Sequence, residues 1–526
     1  MHITSPIVAL TLSLFGNPVW ATTTSYIPAT SPSWAQDLPK DLVGLSIELS
    51  DFSAWAGPAV GKPNDFVNTA LNNLKKLTGV APPIRVGGSS EDKAFLSSSV
   101  EYVNSTYPTP TETSPYPPAS VVYLSPKFYQ LSGNFPAGTQ FVWGINLESL
   151  NVTESVNQAM AIVDAFYGSG KQYTGKQTLS FLELGNEPDL YSVTLFGGKL
   201  PDFDVFNYTA AWTSTLAAIA KAVDPWGTGH PKFYGGSFSD AMYRFGQFAP
   251  TSVLNANESV VSKYLGMWNK HFYSTVNLGP GLNPPQGSLL GKNGVRANVS
   301  IHGAHRAQVA SAGLGLVMGE TNTAARHGII GMSDAAEAVI FLVDYALQYA
   351  VNGIKQIHLH NGIGYAYSLL QPSAISIGPY ASEAPKVQSA YYAAYIVGEL
   401  IGPKPQTKIV ELASNNNAVA AYGVYEDDHI ARAIFISHQP NFPGNVTAPA
   451  VPIVLLGKLA NTKIFAKKFS APYTNSTSGL TWGGQSLDSP LNVTFNATAG
   501  RTAVANQTFL LGAGEIAMLT FEKTWY

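Results

Sequence analysis

No cysteine occurs among the 526 residues. Disulfide staples, thiol nucleophiles and thiolate-held zinc or iron–sulfur centres are therefore excluded. The same absence does not argue against export, because a chain of this length buries a core large enough to stand without disulfides. Charge is scarce as well: only 12% of residues are charged, and 30 Lys and Arg against 33 Asp and Glu leave a net charge of −3. With no dense basic run, nucleic acid is not an expected partner. Beyond the first twenty or so residues no apolar run is long enough to span a bilayer. No repeat of solenoid length and no dinucleotide fingerprint occur. The one His-x-His pair, His358-Leu359-His360, has no evident acidic partners, so its histidines are read as lining an interior and neither a metal nor a cofactor is expected.

What is present begins with a leader. Residues 1–21 hold an apolar stretch from Ile7 to Phe15 and end in Val19-Trp20-Ala21, where small residues at the first and third positions suit signal peptidase. The expectation is a signal peptide over 1–21, a mature protein without a membrane segment, and an extracellular, secreted location. Ten N-x-[ST] sites, at Asn104, Asn151, Asn207, Asn257, Asn298, Asn445, Asn475, Asn492, Asn496 and Asn506, predict N-glycans.

From 41 to 402, short β-rich runs alternate with helical patterns, as expected of βα units around a parallel sheet. Eight strand candidates stand out, at 42–49, 83–88, 140–147, 179–186, 232–238, 270–274, 314–320 and 354–360. Eight such units close a (β/α)8 TIM barrel, and the excess over the roughly 250 residues of a minimal barrel is assigned to insertions at 107–120 and 278–294. After 402 the helical patterns stop, and short strands with Asn, Gly and Pro turns predict an all-β sandwich over 403–526. Residues 22–40 form an N-terminal segment that could add a strand to that sandwich.

Barrel active sites lie at the C-terminal ends of the strands. Two glutamates have that placement. Glu187 follows the fourth strand in "LELGNEPDLY", and Glu320 is read as ending the seventh in "GLVMGETN". From strands four and seven, two carboxyl groups face each other across the mouth, which is what glycoside hydrolysis requires: one to protonate the leaving oxygen, another to attack or stabilise the oxocarbenium-like centre. Asn186 is placed to donate to a sugar hydroxyl. Glu183, inside the strand, is read as wall or support, and Pro188 as the stop. Glu48, closing the first strand, and Ser89, after the second, lie at the mouth as candidate hydroxyl-binding residues.

Together with "IRVGG", these two motifs resemble the retaining glycosidases of clan A, and within it glycoside hydrolase family 79, which includes β-glucuronidases and heparanases. The resemblance implies Glu187 as general acid/base and Glu320 as nucleophile of a double displacement, Arg85 as holder of the nucleophile's carboxylate, and Tyr273 as a hydrogen-bond donor to it. It also implies that Gly364 and Tyr365 meet the carboxylate of a glucuronide, with His327 and Gly328 beside the same sugar or the next. The substrate implied is an oligosaccharide or polysaccharide with terminal β-linked glucuronic acid, plain or 4-O-methylated. A heparanase-like endo-β-glucuronidase, a clan A glycosidase for neutral sugars, and a carbohydrate-binding protein on a barrel scaffold remain as alternatives.

Overall fold

The computed structural model describes residues 22–523 except 112–113, 195–196, 224–232, 240–246, 256–262, 376–383, 445–447, 458, 460–461, 491–492 and 494–497. The leader assigned to 1–21 and the sequons at Asn257, Asn445, Asn492 and Asn496 fall outside the described residues.

Eight strands close a parallel barrel in sequential order: β1 (Val43–Glu48), β2 (Ile84–Gly87), β3 (Gln140–Ile145), β4 (Thr178–Leu184), β5 (Phe233–Phe238), β6 (Leu265–Val276), β7 (Gly315–Ala325) and β8 (Ile357–Asn361). Around it run α1 (Asp65–Thr78), α2 (Val152–Tyr167), α3 (Val205–Ala222), α4 (Lys292–Ser300), α5 (Ala336–Val351) and α6 (Ser389–Ile401). Local chemistry sets these boundaries. Helix α1 starts where the Asn64 side chain accepts from the Val67 N–H at 3.2 Å, and stops at Gly79, which takes the left-handed φ of +80° that a β-carbon disfavours.

Strand β7 does not end at Glu320. It continues to Ala325 alongside β6, in register through Thr275–Ala324 and Val276–Ala325, whereas its pairing with β8 reaches only Thr321. The register slips at Lys270/His271 on β6 and between Met318 and Thr321 on β7. Such a slip re-aims side chains at a barrel rim, and Glu320 sits on it. Above this point β6 and β7 form a two-stranded wall standing over the mouth.

The second domain opens with β9 (Thr407–Glu411), β10 (Val419–Glu426) and β11 (His429–Ser437), followed by β12 (Val451–Leu456), β13 (Thr462–Ser470), β14 (Thr508–Leu511) and β15 (Ile516–Lys523). Strands β9, β10, β11, β15 and β13 pair in that order within one antiparallel sheet, and β12 with β14 in a smaller one. The N-terminal segment joins both: Thr23–Tyr26 pairs in parallel with β12, and Gln36–Asp37 pairs with β9. The run of β10 reads as continuously apolar because both faces are covered. Ala420, Tyr422 and Val424 pack into the barrel core with α5 and α6, while Val419, Ala421 and Tyr425 face the interior between the two sheets. At the barrel seam, buried Asp344 of α5 accepts from Arg296 of α4 at 2.5 Å and pairs with His438 at 2.9 Å.

The insertion spanning 278–294 runs to this seam. Gly287 N–H donates to Glu337 at 2.6 Å and Gly291 N–H to His438 at 3.1 Å. Glu337 is fully buried, its second oxygen has no hydrogen-bond partner, and burial pushes its carboxyl from an ordinary 4.5 up to about 8. An unfolded chain releases this proton near 4.5, so the folded state binds more protons between there and about 8, and stability falls as pH rises through that window. Glu337→Gln, neutral throughout, should therefore gain on the natural protein between pH 5 and pH 8 in urea midpoint. A gap between the two proteins that stays constant with pH would reject this account.

Candidate active site

Strand β4 ends at Leu184, and the chain turns through Gly185 (φ 86°) and Glu187 (φ 49°) before Pro188 opens a short 3-10 turn. A left-handed backbone at a glutamate costs about 1–3 kcal/mol. Here it is held by the Glu187 N–H donating to Ser237 O at 3.0 Å and by Asp92, which accepts from the Asn186 N–H at 2.8 Å and from Tyr191 at 2.7 Å. The effect is to turn the Glu187 side chain, 20% exposed, out of the wall.

Arg85 on β2 is fully buried beneath the mouth and uses its whole fork. Nε donates to Glu183 at 2.5 Å, Nη1 to Glu320 at 2.7 Å and to Ser46 at 2.9 Å, and Nη2 to the Asn186 side-chain oxygen at 2.8 Å. With its oxygen turned toward Arg85, Asn186 presents its side-chain N–H groups to a ligand. Tyr273 donates to the other oxygen of Glu320 at 2.8 Å. Burial opposes ionisation of Glu320, but His360, His271, Arg85 and the Tyr273 hydroxyl outweigh it and hold the carboxyl well below the usual range.

His271, two residues before Tyr273 on the same face of β6, links the carboxylates. Its Nδ1 lies 3.2 Å from Glu187 and 4.0 Å from Glu320, and its Nε2 lies 3.6 Å from Glu183. Burial and Arg85 disfavour its charged form, but Glu320, Glu183 and Glu187 prevail and raise it to about 9. Glu183 in turn is buried but drawn down to about 2 by Arg85 and His271. Carboxylate oxygens of Glu187 and Glu320 lie within 4.8 Å of each other and of the His271 ring nitrogen. This trio could also hold a cation, yet two of its members already meet Arg85 or one another through an imidazolium, which suits a site for moving protons.

The mouth opens into a cavity of about 980 Å³. Glu48, Ser89, Asn186, Glu187, Tyr273, Glu320 and His327 line it, and the insertion spanning 107–120 supplies Ser114 and Pro118 to its wall. Glu48 is oriented by the Ser90 N–H at 2.7 Å and faces His360 Nε2 at 3.4 Å. Arg85 lies behind the lining. Gly364, Gly328 and Tyr365 do not line the cavity either, which corrects the expectation for the two glycines: the Gly364 N–H donates to Gln371 at 2.9 Å, and the Gly328 N–H to Ala324 at 3.1 Å, so neither is available to a ligand. Gly364 is required for another reason. A β-carbon there would come within 2.4 Å of the Tyr116 ring, which packs beside Tyr365 and Tyr367. Tyr365 lies one layer back, stacked on His327 with ring centroids 3.9 Å apart.

Glu183 supports the site from inside the strand as expected, whereas His271, His360 and Tyr367 belong to it without standing among the expected residues. Their signal was alternation: Asn269, His271 and Tyr273 share one face of β6, and His358 and His360 one face of β8. Of the latter pair, His358 stays inside the barrel, with Nδ1 3.3 Å from Leu45 O, while His360 reaches the site.

Residues 421–518 match the family model described as the glycosyl hydrolase family 79 C-terminal beta domain. A β-glucuronidase of Neurospora crassa is 26% identical over 498 residues, covering 85% of this chain and 84% of that protein. One from Aspergillus niger is 26% identical over 479 residues, covering 85% and 82%. Among solved structures, a 4-O-α-L-rhamnosyl-β-D-glucuronidase from Fusarium oxysporum shares the fold with a TM-score of 0.76 at 23% identity, over 94% of this chain and 100% of that one.

The electrostatics are testable without a substrate. His271 should remain an imidazolium through neutral pH and lose its proton near pH 9 in ring-nitrogen NMR. Glu183→Gln, removing one of its anions, should move that midpoint down. Titration of the natural protein near 6.5 would contradict the arrangement described.

Proposed function

We propose that this chain is a retaining β-glucuronidase of glycoside hydrolase family 79, removing terminal β-linked glucuronic acid, plain or 4-O-methylated, from glycans. The observation that carries the mechanism is the closeness of Glu187 and Glu320, whose carboxylate oxygens lie within 4.8 Å. Retaining glycosidases hold their carboxyl groups about 5–5.5 Å apart, whereas inverting ones need about 6.5–9.5 Å to admit a water. The curated relatives, both β-glucuronidases, support the substrate class.

In this reading Glu320 is the nucleophile. The cations around it keep it ionised, and Tyr273 and Arg85 fix both of its oxygens toward the anomeric carbon. Glu187, more exposed and outside the Arg85 fork, protonates the departing oxygen and then, as a base, activates water on the glycosyl ester. Asn186 donates to a hydroxyl of the sugar, a bond that strengthens in the transition state. Glu48 and Ser89 bind further hydroxyls. His327, whose charge is suppressed by burial and by His360 and Arg326 to about 3, offers the sugar a neutral ring. The insertion spanning 107–120 walls one side of the cavity and favours action at chain ends. Secretion, N-glycosylation and an extracellular place of action belong to the same proposal and rest on the leader and the sequons.

Three measurements test it. A chromogenic β-glucuronide should be cleaved and the matching glucoside, xyloside and arabinoside should not; the reverse preference would leave only the clan. NMR of the first product should show the β-anomer, and an α-anomer would replace retention by inversion. Glu320→Ala should abolish turnover on every aglycone, while Glu187→Ala should lose about 10²–10⁴-fold on unactivated glycans and much less on aryl glucuronides with good leaving groups.

A further inference from the structure

The wall formed by β6 and β7 ends in a turn of which the reaction above uses only His327. Arg326 and His327 take consecutive left-handed conformations, with φ of 62° and 72°. The turn is pinned from three sides. Gly328 N–H donates to Ala324 O at 3.1 Å, Ala366 N–H to His327 O at 2.8 Å, and the Asn277 side chain to Gly328 O at 2.7 Å. Within it His327 stacks on Tyr365, and Arg326 is exposed on the cavity lining.

Three observations give Arg326 a purpose. First, five carboxyl side chains line this cavity, from Glu48, Asp92, Glu148, Glu187 and Glu320, so an anionic substrate meets repulsion unless a cation offsets it. Second, the other permanently charged cation of the lining, Lys93, is already paired with Glu148, whereas among the described residues no hydrogen bond or ion pair engages the Arg326 guanidinium. Third, the five extended residues that follow Glu320, from Thr321 to Ala325, carry the chain roughly 16 Å outward at about 3.3 Å per residue. That exceeds the span of one sugar ring, so Arg326, on the lining of the same cavity, stands beyond the sugar attacked at Glu320, beside whatever is attached to it.

We propose that Arg326 is a specificity-determining residue that receives a carboxylate carried by the aglycone, making this site selective for glycans in which the unit next to the released glucuronate is itself acidic. A guanidinium fork matches a carboxylate with two parallel N–H donors, and the pinned turn limits the ordering needed on binding. The inference rests on the β-glucuronidase reading, and its test separates the two.

The probes are a glucuronosyl disaccharide ending in a uronate and the same disaccharide with only that second carboxyl reduced to the alcohol, which keeps the leaving oxygen alike. Arg326→Gln should lower kcat/KM on the acidic disaccharide about tenfold, chiefly through KM, and leave the reduced one within about twofold; tenfold corresponds to about 1.4 kcal/mol. Arg326→Lys should recover part of the loss, and the natural protein's preference for the acidic substrate should shrink as salt rises. Equal loss on both disaccharides would make Arg326 a general binding or structural residue and overturn the proposal, as would no loss on either. If the natural protein cleaves neither these disaccharides nor an aryl β-glucuronide, the β-glucuronidase reading itself fails.

Discussion

The constraint on which this site depends is the burial of Arg85. A guanidinium cannot shed its charge by deprotonation, and removing it from water is tolerable only where anions and acceptors occupy its donors in good geometry. The fold meets that demand with Glu183 from β4, Glu320 from β7, Ser46 from β1 and Asn186 beyond β4. Strands from opposite sides of the barrel are thereby tied to one group. Glu91 approaches the same cation at 3.6 Å, yet burial and the nearby Glu183 keep its carboxyl well above the usual range. Among the groups that meet Arg85 and His271, two cations thus face the anions Glu183 and Glu320, while the Glu91 carboxyl is held toward its neutral form. Glu187 stays outside this set, on the solvent side.

The rest of the molecule reads as support for that arrangement. The register slip between β6 and β7 re-aims Glu320 while Tyr273 and His271, two apart on β6, meet it from one side. Asp92 ties the turns after β3 and β4 together by accepting from Leu147 at 2.8 Å and from Asn186 and Tyr191. Farther out, the sandwich covers α5 and α6 with alternate residues of β10, and it receives the insertion spanning 278–294 along the seam. The insertion spanning 107–120 instead leans Tyr116 on Gly364 and walls the cavity.

Much of this was legible in the sequence because two signals are local. The period of the apolar pattern marks strands and helices, and each of the eight barrel strands overlaps the run expected for it; turn residues mark most of their ends, but not those of β6 and β7. The positions of Glu187 and Glu320 followed from strand order alone. Less legible was anything set by a tertiary contact. Strand β7 reads as ending at Glu320 because Thr and Asn follow, but pairing with an equally long β6 carries it to Ala325. Gly364 and Gly328 look like open backbone in a glycine-rich turn, and only packing against Tyr116 and Ser333 shows why a side chain is excluded. His271 and His360 carry a weak signal because an inward-facing histidine in a barrel is usually core. Two carboxylates from β4 and its turn and a third from β7 give His271 its charge, and no one sequence window contains all three.

The same charge balance bears on how the two halves of a double displacement follow one another. Before reaction, Glu320 is one of the anions that keep His271 protonated and satisfy Arg85. Formation of a glycosyl ester at Glu320 would neutralise that anion while both cations stay in place. The ester would then sit in a locally positive site, which favours return of the carboxylate and so favours its hydrolysis. His271 would lose the Glu320 anion 4.0 Å away just as Glu187, 3.2 Å away, gives up its proton and becomes an anion, so the imidazolium would keep a compensating charge. In the proposed double displacement Glu320 and Glu187 would thus be linked through a buried imidazolium as well as through the substrate, and that imidazolium shares its anions Glu183 and Glu320 with Arg85.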